Sequence, residues 1–111
     1  MIKVTVHQSE RGEIAAFTVE GHANFARYGS DLVCAGVSAV VFGALNGIVE
    51  LTGVVPKVEE GGEGGYLHCE IPGDVPEEKR PEVDLLLKAM VVSLRTIEKD
   101  YGKYIRITFQ R

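Results

Sequence analysis

The stretch Leu32 to Val49 is the longest apolar region of this chain, and it constrains everything around it. A helix of about 20 apolar residues is long enough to cross a bilayer. Here the run is interrupted by Ser38 and Asn46 and bounded by Asp31 and Glu50, so it reads as a buried core helix. Val33, Val37, Val40, Val41, Ala44, Leu45, Ile48 and Leu51 cover most of one side. Ser30 or Asp31 can cap its start by accepting from free first-turn amides, and Gly53 is a natural stop. Such a helix needs an apolar layer to lie on.

The remaining sequence supplies that layer. Ile2 to His7 alternates, with Ile2, Val4 and Val6 on one face, and Ile14 to Glu20 follows a short polar turn. The pair reads as a hairpin. Val54 to Glu59 is expected as a third strand, with Pro56 pointing to an edge or a strand start. The run EGGEGG, Glu60 to Gly65, reads as a flexible turn. Tyr66 to Ile71 then puts Leu67, Cys69 and Ile71 on one face and Tyr66, His68 and Glu70 on the other. Pro81 opens a second helix, striped by Val83, Leu86, Leu87, Met90, Val91, Leu94, Ile97 and Tyr101 and ended by Gly102. Ile105, Ile107 and Phe109 mark a last strand. The order β-β-α-β-β-α-β predicts an α+β fold, with both helices on one face of a mostly antiparallel sheet. At 111 residues, one domain spanning 1–111 is expected.

A net charge of -4 and no basic cluster beyond Lys79-Arg80 argue against nucleic acid as a direct partner. Lys3 is followed by alternating residues instead of an apolar block, so no signal peptide is read, and no membrane association is expected. Two cysteines without an export signal imply free thiols in a reducing, cytoplasmic setting.

The chemistry-bearing residues gather at the start of the long helix. Cys34 falls in its first turn, where unpaired amides carry partial positive charge that favours a thiolate. The same amides, or those of the preceding loop, are candidate oxyanion donors. His22 lies on the connecting loop Gly21–Ser30, which is long enough to fold back and bring imidazole beside sulfur as a proton acceptor and donor. Asp31 can orient that imidazole, stabilise its cation, or simply cap the helix. Ser38, one turn beyond Cys34, can bond the sulfur or line a pocket.

Each has a plainer reading. A helix cysteine is usually a small core residue, a loop histidine is usually surface, an Asp at a helix start is explained by capping, and a helix serine allows close packing. Cys69 alternates with core residues, and His68 and His7 read as solvated. A zinc site from His22, Cys34, His68 and Cys69 lacks paired ligand spacing, so no metal or cofactor is expected. EGGEGG does not follow the phosphate-loop pattern, and no G-x-S-x-G is present.

The segment GHANFARYGSDLVCAGVSAV, Gly21 to Val40, resembles the signature of the ribosomal-processing cysteine protease family, Prp. Gly21-His22-Ala23, Gly29, Asp31, Val33-Cys34-Ala35 and Val37-Ser38 carry the likeness. The resemblance implies a homodimeric cysteine endopeptidase that removes the N-terminal extension of large-subunit ribosomal protein twenty-seven, cutting after a hydrophobic, phenylalanine-containing motif. It implies His22 and Cys34 as the catalytic pair, with Asp31 and Ser38 in supporting positions. On that reading the loop is a substrate loop: Gly21 and Gly29 serve as hinges, and Phe25 and Tyr28 cover an apolar peptide. The main rival is a non-catalytic module that binds ribosome precursors, with Cys34 as packing only. A thiol redox protein is the second rival, and it lacks a C-x-x-C pair.

Overall fold

The computed structural model describes residues 1–111. Its elements run β1 (Ile2–Gln8), β2 (Ile14–Glu20), α1 (Leu32–Thr52), β3 (Lys57–Gly61), β4 (Tyr66–Glu70), α2 (Arg80–Tyr101) and β5 (Ile105–Gln110). Short 3-10 turns occupy Gly62–Gly64 and Glu77–Lys79. The strands form one sheet in the order β3-β4-β2-β1-β5. All neighbours are antiparallel except β1 and β5, which are parallel and pair Ile2 with Ile105 and Val4 with Ile107. The expected α+β order is therefore the observed one.

Alternation makes the sheet two-faced. Ile2, Val4, Val6, Phe17, Leu67, Cys69 and Ile105 are buried beneath the helices. From α1 they meet Val33, Val37, Val41, Leu45 and Ile48, and from α2 Val83, Leu87, Met90, Val91 and Leu94. Truncating a fully buried member such as Leu87 or Leu94 to alanine costs ~2–5 kcal/mol, the lost transfer energy plus a cavity. Two carboxylates of α2 also tie it to strands. Asp84 Oδ1 accepts from the Ile14 amide at 2.8 Å, and Glu98 Oε2 accepts from the Ile107 amide at 2.9 Å.

The long apolar helix α1 is a core element along one stripe only. Its C-terminus stops at Gly53, whose φ of 77° is left-handed and whose N–H donates to Val49 O. With no basic residue in its own last turn, α1 has its Thr52 carbonyl capped by Lys79 Nζ at 2.7 Å. Leu51, expected on the covered side, is 72% exposed, because the buried stripe steps from Ile48 to Thr52 and turns Leu51 away from the core.

The third strand differs from expectation. Pairing begins at Lys57, not Val54, and extends into the glycine run as far as Gly61. Val54 is held by its amide to Thr52 Oγ1, and Pro56 has no N–H to offer, so the ladder forms only beyond it. This slides β3 toward the Gly62–Gly65 turn and sets that turn beside the start of α1.

Candidate active site

The β2–α1 loop is built around one carboxylate. Asp31, not Ser30, is the N-cap of α1. Its Oδ1 accepts from the amides of Val33 at 3.0 Å and Cys34 at 3.1 Å. Its Oδ2 accepts from those of Phe25 at 2.8 Å and Ala26 at 3.2 Å. Asp31 thus fastens the loop to the helix start. Burial raises its pKa, but the four amides from Cys34, Ala26, Phe25 and Val33 outweigh that effect and hold the carboxyl below its ordinary range. Asp31 spends both oxygens on backbone, which leaves it the structural one of its expected roles.

This arrangement takes three of the helix-start amides out of the set expected to be free for an oxyanion. Val33 and Cys34 donate to the Asp31 side chain, and Ala35 donates to its carbonyl at 3.0 Å. The carboxylate also offsets part of the positive charge that the helix start offers to sulfur. The direct donor to Cys34 Sγ is instead the amide of Ala23, at 3.4 Å. Ala23 is buried, so its N–H is fixed in place.

A cleft of about 820 Å³ opens over this point, between α1 and the β3–β4 turn. His22, Asp31, Cys34 and Ser38 all line it, so the structure brings the four sequence candidates together. Cys34 is half-buried, whereas His22 and Ser38 are exposed. The floor is apolar, with Ile2, Val19, Val37, Val41, Phe42 and Leu67.

The loop residues divide. Gly21, Tyr28 and Gly29 line the cleft, with Tyr28 86% exposed at its mouth. Phe25 does not line it, which corrects its expected role as a substrate cover. Its ring meets those of Tyr101 and Tyr104 edge-on, at centroid distances of 5.6 and 5.1 Å. Gly21 is also no free hinge. Its N–H donates to Gly65 O at 2.8 Å, its φ is +90°, and a Cβ there would collide with the Met1 carbonyl. Gly29, at φ +89°, has open space around it. Glu60 and Glu63, expected only as part of a turn, also line the cleft.

The second cysteine is unsuited to chemistry. Cys69 is 0% exposed, and burial, with a lesser contribution from the Glu70 charge, pushes its thiol up to about 12. Its neighbour His68 points to the opposite sheet face. There its Nδ1 pairs with Thr18 Oγ1 at 2.8 Å and its Nε2 with Glu70 Oε1 at 3.1 Å.

Among the groups that line the cleft, the sulfur is the strongest nucleophile and the imidazole is the group able to carry its proton. Thiol-dependent hydrolysis is therefore the class of chemistry these side chains support. Comparison with known proteins narrows the class. Residues 1–106 match the family model described as cysteine protease Prp. The ribosomal processing cysteine protease Prp of Bacillus subtilis is 47% identical over 108 residues, covering 97% of this chain and 96% of that protein. The Prp protease of Staphylococcus aureus has been solved with a covalently linked product peptide. It superposes with a TM-score of 0.90 at 36% identity, covering 99% of this chain and 100% of that one. A second S. aureus structure, with a substrate peptide, gives a TM-score of 0.83 at 35% identity with the same coverage of each chain. The chain belongs to the cysteine protease Prp family, and its activity is that of a ribosomal processing cysteine protease. The non-catalytic reading is thereby set aside.

Proposed function

We propose that this protease uses Cys34 as nucleophile and His22 as its proton carrier, and that it removes the N-terminal extension of large-subunit ribosomal protein twenty-seven. The observation that carries the assignment is the contrast between the two thiols. Cys34 Sγ borders the cleft and takes a bond from the residue after His22, whereas Cys69 is sealed in the core.

The steps follow from ordinary thiol chemistry. Imidazole takes the Cys34 proton, and the sulfur attacks the scissile carbonyl carbon. The tetrahedral intermediate collapses, the C–N bond breaks, and the imidazolium protonates the departing amine. The acyl group now sits on sulfur as a thioester. Water, giving a proton to the imidazole, attacks that thioester; the acid leaves and the thiol regains its proton. The covalently linked product peptide in the S. aureus relative supports such an intermediate here.

The apolar floor around Val37, Val41, Phe42 and Leu67 supports cleavage after a hydrophobic, phenylalanine-containing motif. Ser38 and Asp31 act as lining and staple. We infer that the protein works in the cytoplasm, without direct contact to nucleic acid, as a homodimer. The last point is supported by apolar side chains left exposed on both helices, among them Val49 and Leu51 on α1 and Leu85 and Val92 on α2.

Mass analysis of a precursor carrying the extension tests the proposal. Wild type should yield a single new N-terminus after the hydrophobic, phenylalanine-containing motif, while Cys34→Ser and His22→Ala leave the precursor whole. Cleavage that survives Cys34→Ser sinks the assignment.

A further inference from the structure

We propose that Gly65 is a positioning residue for His22: its bare Cα is the seat on which the imidazole rests. The inference depends on His22 being the catalytic histidine, as proposed above. A Cβ built on Gly65 would lie 2.8 Å from His22 Nε2 and 3.4 Å from Cδ2, so the ring lies directly against this glycine. The same residue holds the backbone that carries the ring, because Gly65 O accepts from the Gly21 amide at 2.8 Å. The turn beneath is itself closed by the Gly65 amide donating to Gly62 O at 2.9 Å.

The backbone does not require glycine here. Gly65 has φ -96° and ψ 11°, which other residues adopt, unlike its neighbours Gly62 and Gly64 with positive φ. The added methyl's other close neighbour is the Gly62 backbone oxygen at 3.0 Å, which must give by a few tenths of an ångström. The imidazole is an exposed side chain and can swing away. A methyl group at Gly65 therefore displaces the ring, the closer and more mobile neighbour, and strains the turn at Gly62 to a lesser degree. The damage falls on the alignment of imidazole with sulfur, where a displacement of about 1 Å can cost on the order of a hundredfold in rate.

The test compares Gly65→Ala, Gly61→Ala and His22→Ala. Gly61 is the control, since it lies in the same hairpin with an extended backbone and open space where a Cβ would go. Gly65→Ala is expected to lower kcat roughly 10- to 100-fold with KM within about twofold, while remaining fully folded at the assay temperature by its melting curve. The pH profile of Cys34 alkylation should move toward that of His22→Ala. The NOE between the His22 ring and the Gly65 Hα protons in wild type should have no counterpart to the remaining Hα in Gly65→Ala. Gly61→Ala should match wild type throughout. Wild-type kcat and alkylation profile in Gly65→Ala, with His22→Ala inactive, overturn the positioning role alone. Equal losses in Gly61→Ala and Gly65→Ala also overturn it, because the turn would then matter only as structure. Full activity in His22→Ala overturns the catalytic reading and the positioning role with it.

Discussion

The Ala23 amide donates to Cys34 Sγ at 3.4 Å, joining the residue after His22 to the first turn of α1. One backbone hydrogen bond thus sets the loop that carries the imidazole against the helix that carries the thiol. A charged sulfur accepts more strongly than a neutral one, so this contact strengthens as the thiolate forms. Cys34, half-buried and bordering the cleft, should be alkylated readily in the native protein. Cys69, sealed and pushed up to about 12, should react only on unfolding. Mass spectrometry of the protein after timed iodoacetamide exposure reads both sites. Equal rates at the two sulfurs would undo the distinction.

Asp31 makes stability depend on acid. Its folded pKa lies below its ordinary value of 3.8, so the carboxylate stabilises the fold above that value. The contribution is lost as pH falls through the folded pKa. Asp31→Asn has no charge to titrate and replaces one acceptor oxygen by an NH2 group. The melting temperature of wild type should exceed that of Asp31→Asn at neutral pH, and the gap should close on acidification below about pH 4. A constant gap across that window would show that the lost acceptor oxygen, not the charge, accounts for the difference.

Phe25 and Tyr28, only three residues apart, should respond differently to truncation. Phe25 packs edge-on against Tyr101 and Tyr104, and such pairs are worth ~0.5–1.5 kcal/mol each beyond area burial. Phe25→Ala should lower stability by about 1–3 kcal/mol and leave KM nearly unchanged. Tyr28 stands exposed at the cleft mouth, so Tyr28→Ala should raise KM while the denaturation midpoint stays put. Urea unfolding combined with steady-state kinetics separates the two, and a reversed pattern would restore Phe25 to the substrate.

That contrast also marks what a sequence can tell. The helix ends were legible because caps are local: Asp31 and Gly53 bound α1 through their own side chain or backbone angle. The sheet's buried face was legible from alternation. Where the ring of Phe25 points depends on Tyr101 and Tyr104, which only the folded chain brings near, and no local period encodes that. The candidate pair His22 and Cys34 was legible as loop and helix start, but the engagement of the Val33, Cys34 and Ala35 amides by Asp31 was not. Spacing says which groups are near one another, not which acceptor wins a donor. The seat of His22 on Gly65 is likewise a meeting of distant segments, and in sequence that glycine is one of a run.

Glu60 and Glu63 give the cleft an acidic rim. No lysine or arginine lines the same cleft, and Asp31 is already engaged by four amides. A peptide with a lysine or arginine near the scissile bond should therefore bind better than its uncharged analogue. Exposed charge pairs are worth roughly 0.2–1 kcal/mol, which corresponds to at most about fivefold in KM for each glutamate. Glu60→Gln with Glu63→Gln should raise KM for the basic peptide and leave kcat nearly unchanged. The KM of wild type for that peptide should rise with salt, and the double variant should lose most of this dependence. Steady-state kinetics at low and high ionic strength, with basic and neutral peptides, measure both. If the double variant kept the preference for the basic peptide, the selecting charge would have to lie outside these two side chains.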